Sequence, residues 1–147
     1  MNWYKTSSWG ESAIEQWDMI KTKEEIRDNI EFIKQSPIQA FIGCPNELKE
    51  KPAIINAFIE ASKNLMTKTD IRSCARYIAN LDRVLLSASF SMKIHKEIMK
   101  MLFNIIKEYP KIYYEIRNIK NISTSLRNNI EMIAKYLKLP MVRPTER

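Results

Sequence analysis

His95, Cys44, Cys74 and a scatter of carboxylates are the groups through which catalysis or metal binding would have to run in this chain. His95 is the sole histidine, and no cysteine, HxxxH or ExxH spacing surrounds it, so it makes a poor start for a metal site. As a general base it would need a nucleophile delivered by the fold; a histidine at the edge of an apolar helix face is the plainer reading. Glu24, Glu25, Asp28 and Glu31 crowd the first two turns of a helix, where carboxylates favour the positive end of the dipole. Glu47 and Glu50 interleave with Lys49 and Lys51, as in a solvated turn. Cys44 precedes Pro45 at a turn and lacks the electropositive surroundings a reactive thiol needs, Cys74 lies with Ile71, Ala75 and Ile78 on a core face, and two buried thiols are the default expectation. There is no G-x-S-x-G, no G-x-x-x-x-G-K-[ST], and the only glycines are Gly10 and Gly43. The expectation is a chain with no catalytic residue, no metal or cofactor and no small-molecule ligand.

Basic stripes are the one positive signal. Arg72, Arg76 and Arg83 fall at i, i+4 and i+11, and Lys93, Lys96, Lys100 and Lys107 at i, i+3, i+7 and i+14. Arg117 and Lys120, with Lys111 and Arg127 beside them, extend the series if neighbouring helices present one face. Tyr77, Tyr113 and Tyr114 lie near these positions, where aromatic rings can stack on bases. The net charge of +7 is polarised: residues 1–61 hold 7 Lys/Arg against 10 Asp/Glu, −3, and residues 62–147 hold 17 against 7, +10. Such polarity favours an acidic partner for the later part of the chain, protein or nucleic acid. The plainer alternative is a wet lysine face, and no helix-turn-helix, zinc-finger or RNA-recognition signature accompanies the charge.

The elements that must position these groups are all helices. In Ser91–Tyr109 an apolar face of Ile94, Ile98, Leu102, Ile105, Ile106 and Tyr109 recurs at spacings of three and four, and Pro110 stops it. Ser91 is placed to cap that start. Ser12-x-x-Glu15, Thr22-x-x-Glu25 and Ser36-x-x-Gln39 match the capping box, which predicts helices over about 12–20, 23–35 and 37–42. Further helices are expected near 52–66, with Ile54, Ile55, Phe58, Ile59 and Leu65 apolar, and near 70–87, started by Thr69-Asp70. Two more are expected near 110–118 and, capped by Ser123 or Thr124, near 125–138. Breakers never bracket a short β-branched run, so no strand is expected. Residues 26–33 also echo residues 126–133, in the manner of stacked helical hairpins.

Trp3, Tyr4 and Trp9 lie in an aromatic arm, residues 1–11, that should dock on a body rather than stay in water. The opening residues MNWYK resemble the starts of reading frames from phages and other mobile elements. One helical domain is expected over 12–139, with an extended tail over 140–147. With 45% apolar and 28% charged residues the chain is ordinarily globular, and it is long enough to bury about two thirds of its unfolded surface. No apolar run reaches the roughly 18 residues of a membrane span, and two cysteines without a pairing pattern suit a reducing compartment. The sequence therefore predicts an all-α bundle of about seven to eight helices, cytoplasmic or virion-associated. It predicts a protein-interaction or assembly module that meets a protein partner or its own copies, the alternatives being a nucleic-acid binder and, third in order, a small helical enzyme built from dispersed carboxylates.

Overall fold

The computed structural model describes residues 23–86 and 92–141, and every regular element within them is a helix. Helix α1 covers residues 23–35, followed by α2 (Pro37–Gly43), α3 (Asn46–Lys49) and α4 (Pro52–Lys68). Then come α5 (Ile71–Asn80), α6 (Asp82–Leu85), α7 (Met92–Glu108), α8 (Lys111–Arg117) and α9 (Thr124–Tyr136). The all-α class read from periodicity is the class that forms. The aromatic arm with Trp3, Tyr4 and Trp9, the helix expected at 12–20, the caps Ser12, Thr22 and Ser91, and residues 142–147 lie outside the described residues.

Helix α7 buries Ile94, Ile98, Leu102, Ile105 and Ile106 as their spacing requires, and Met101 joins them. Each such side chain contributes roughly 1.5–3 kcal/mol of burial, so this face holds α7 against α4, α8 and α9. Tyr109 leaves the face: at the helix end, beside Pro110, it is 41% exposed. On α4, Pro52 occupies the first turn and Ile54, Ile55, Phe58 and Ile59 are buried, whereas Leu65 turns outward. Phe58 stacks on Phe41 of α2 with ring centroids 4.5 Å apart. Helix α5 packs most extensively against α8, and the Ser62 and Tyr77 hydroxyls, 2.7 Å apart, tie α4 to α5.

Caps follow the sequence in two places and depart from it in a third. The Asp70 carboxylate accepts from the Ser73 backbone N–H at 2.7 Å, and Ser123 Oγ accepts from Leu126 N–H at 3.1 Å. Ser36 makes no side-chain cap bond; its backbone N–H continues α1 onto Phe32 O at 2.9 Å, and Pro37 alone starts α2. The helix expected over 70–87 is broken at Leu81, whose N–H is shared between Tyr77 O and Ile78 O, a tightening of the last turn. The reason is tertiary: Asp82 must reach the start of α9, where it accepts from Ser123 N–H at 2.6 Å and Ser123 Oγ–H at 2.7 Å. Helix α9 ends in a reversal with Lys138 at φ 57°, Lys138 N–H on Lys135 O and Leu139 N–H on Ala134 O.

Within the stretch read as a solvated turn, Glu47, Glu50 and Lys51 are exposed, but Asn46–Lys49 form the one-turn helix α3. Leu48 and Lys49 are buried, and Lys49 Nζ donates to Ile42 O at 2.9 Å, placing a cation at the negative end of α2. Cys44 and Cys74 are both buried, as the default reading of the two thiols has it. Burial raises the Cys44 thiol pKa, and the same cause pushes Cys74 up to about 11. Both thiols should therefore resist Ellman's reagent at pH 8 in the native protein and react in full in denaturant. Rapid native labelling of either would show that its helix opens.

Candidate functional site

Among the described residues, several of the polar groups that the fold buries are bonded between helices. Among the described residues no three His, Cys, Asp or Glu side chains gather as metal ligands. Asp82 is engaged by Ser123, and Tyr113 Oη donates to Glu131 at 2.7 Å. Tyr114 Oη donates to Pro140 O at 2.8 Å. These last two bonds fasten α8 to α9 and to the chain that follows it.

The tyrosines expected to stack on bases are turned largely inward. Tyr113 and Tyr114 are 2% and 5% exposed, and Tyr77 is half-buried with its hydroxyl on Ser62. Burial, reinforced for Tyr113 by the bond to Glu131, pushes both Tyr77 and Tyr113 up to about 12. They act as polar tethers inside the fold.

Each cation singled out by the sequence is on the surface, but on different helices. Arg72 and Arg76 are exposed on α5 and Arg83 on α6; Lys93, Lys96, Lys100 and Lys107 are exposed along α7; Lys120 follows α8. Arg117 is committed locally, donating to Met141 O at 2.5 Å with its guanidinium 5.5 Å from the Tyr113 ring centre. Arg127 likewise donates to Ile119 O at 2.8 Å. Arg72 and Arg76 lie near Asp70, whose exposed carboxyl sits below the usual range, first through the Ser73 backbone N–H and more weakly through the two arginines.

Two of these cations, Lys96 and Lys100, share one groove. It lies between α7 and α9, encloses about 400 Å³, and has Met99, Phe103 and Ile133 along its floor with Asn104 at one end. The α7 side follows from spacing: Lys96, Met99, Lys100 and Phe103 sit at i, i+3, i+4 and i+7, a strip adjoining the core face. On the α9 side the Tyr136 ring meets Phe103 edge-on at 5.4 Å between centroids. Tyr136 and Met132 remain 76% and 67% exposed, an apolar shoulder with nothing over it among the described residues. Lys100 pairs with Glu97 at 3.7 Å, an exposed i, i+3 pair worth only about 0.5 kcal/mol or less, so an incoming carboxylate can take its place.

Met99, Phe103, Met132, Ile133 and Tyr136 were not candidates on sequence grounds. The legible signal was the pair Met99 and Phe103, apolar residues four apart lying off the core stripe and next to Lys96 and Lys100. Two other hollows are less directed. The larger, about 600 Å³ between α1 and α4, has Ile30, Ala57 and Leu65 with both Lys34 and Glu60 at its edge. Another of about 430 Å³ lies where α1 meets α2, beside Phe32 and Gln39. No helix among the described residues is long and apolar enough to cross a membrane. No family model, curated protein or solved structure matches the chain.

Proposed function

We propose that the protein is a non-enzymatic docking module whose α7–α9 groove receives an acidic amphipathic helix. The observation that supports this is the placement of Lys96 and Lys100 beside an apolar floor of Met99, Phe103 and Ile133, with Tyr136 and Met132 exposed alongside. Apolar anchors give such a groove its affinity, and the two ammonium groups set orientation and choose partners of negative charge. Bare nucleic acid is less well served on the α5 and α8 faces, where Tyr113 and Tyr114 are buried and Tyr77 is half-buried, so little ring surface is left there for base stacking.

The test is fluorescence anisotropy with a labelled helical peptide bearing glutamates on one side and Leu and Phe on the other. Binding should weaken about tenfold or more in the Lys96→Glu/Lys100→Glu variant, since two favourable pairs become repulsive, and should fall as salt rises. A peptide of the same apolar pattern with lysines should not bind. Equal binding of both peptides, or no effect of the charge reversal, removes the groove from consideration. Should random DNA bind at about 50 mM salt while the acidic peptide does not, the exposed Arg72 and Arg76 on α5 become the site and the nucleic-acid reading replaces this one.

A further inference from the structure

The same molecule carries, on a different helix, a surface with the chemistry the groove calls for. Phe32 on α1 is 62% exposed, a large apolar ring presented to solvent. Glu25 and Asp28 lie seven and four residues before it, so a helix puts both carboxylates on the side of the ring, with Glu24 and Glu31 flanking. All four are exposed. The cations of α1 fall elsewhere: Lys23, Arg27 and Lys34 lie off the Phe32 line, and Lys34 pairs with Glu31 at 3.5 Å. Ile33 is buried and Ile26 and Ile30 half-buried on a third side, so α1 is seated on its own fold and still displays an acidic, ring-bearing ridge.

Ridge and groove share a spacing. Glu25 and Phe32 are seven residues apart on α1, and Lys96 and Phe103 are seven apart on α7, about 10.5 Å in each case. Laid parallel, Glu25 meets Lys96, Asp28 comes beside Lys100, and the Phe32 ring enters the hollow over Met99 and Phe103. We infer that the occupant of the α7–α9 groove is α1 of a second copy of this chain, with Phe32 as the anchor and Glu25 and Asp28 facing the two lysines. This rests on the docking role of the groove and adds the identity of the partner.

The two surfaces are different patches, so the contact is head-to-tail: each copy offers a ridge to one neighbour and a groove to the next, and the assembly closes as a ring or grows as a chain. A single helix in a groove is a small interface, which makes the association weak and salt-sensitive.

That geometry gives a test with the full-length protein. Light scattering and sedimentation at low salt should show the wild-type chain self-associating as its concentration rises, and dispersing as salt is added. Phe32→Asp removes the ridge and leaves the groove; Lys96→Glu/Lys100→Glu removes the groove and leaves the ridge. Each should be monomeric, at least about tenfold weaker in association, and each should keep its helical circular dichroism, because these side chains are exposed. Should Phe32→Asp fail to fold, Phe32→Ser serves the same purpose. Mixed together, the two variants should form a one-to-one heterodimer that grows no further, since one intact ridge and one intact groove remain.

A wild-type chain that stays monomeric up to about 1 mM overturns the inference. So does association that survives in either variant, or a mixture that remains monomeric. The acidic-peptide assay separates the two levels: a monomeric wild type that still binds the peptide keeps the groove and loses the second copy, whereas loss of both discards the groove too.

Discussion

Asp82→Ala should lower the free energy of unfolding by about 3 kcal/mol, read as a shift in the urea midpoint. Its carboxylate is 8% exposed and holds the Ser123 backbone N–H at 2.6 Å and the Ser123 hydroxyl at 2.7 Å. That hydroxyl then offers its oxygen to Leu126 N–H at 3.1 Å. Truncation strands a backbone donor, frees the hydroxyl to rotate away from its cap, and unties α6 from α9 in one step. Hydrogen bonds to charged groups are worth about 1.5–3 kcal/mol and a lost cap about 1 kcal/mol, which together set the figure. Asp82→Asn should recover part of the loss, since its amide oxygen can still accept from one of the two donors. A cost below about 1 kcal/mol for the alanine would mean that the three-residue relay is not what holds the start of α9.

Phe58→Ala should be costlier, about 4 kcal/mol. The ring has no exposed surface, and it stacks on Phe41 at 4.5 Å and 23° where α2 crosses α4. Removing it loses the transfer energy of a phenyl group, leaves a cavity, and takes away the aromatic pair. Phe58→Leu should lose less than half as much because most of the volume is kept. Tyr136→Ala makes the comparison on the same chain: 76% exposed, it should change stability by about 0.5 kcal/mol or less while weakening peptide binding to the groove. Were Tyr136→Ala as destabilising as Phe58→Ala, the ring would be a structural prop and the groove would lose its shoulder.

The helices themselves were legible because their signals are local. The three- and four-residue recurrence of Ile94, Ile98, Leu102, Ile105 and Ile106 demands one buried face, and the caps at Asp70 and Ser123 lie within three residues of the groups they satisfy. Pro37, Pro52 and Pro110 mark helix starts wherever they occur, because a missing N–H and a preset φ act on the chain at that point alone. The surplus of lysine and arginine after residue 61 was equally plain.

What spacing could not decide is which neighbour each face meets. The break at Leu81 exists because Asp82 bonds to Ser123, 41 positions later, and nothing in residues 70–87 announces a partner so distant. Lys49 looked solvated among alternating charges, yet the carbonyl it seeks ends α2 and draws it inside. Tyr113 and Tyr114 sat beside cations in the sequence and were turned inward by Glu131 and Pro140 O. The groove arises in the same way: Lys96 and Lys100 were visible on α7, but Ile133 and Tyr136 come from α9, and only the packing of the two helices makes a hollow between them. Local hydrogen bonding and periodicity are written along the chain, and so the sequence by itself determined the helices, their inner faces and the polarity of charge. Convergence of side chains from separate helices depends on how buried surfaces mesh in three dimensions, and so the tertiary structure alone decided which cations flank an apolar floor and which rings stay in water.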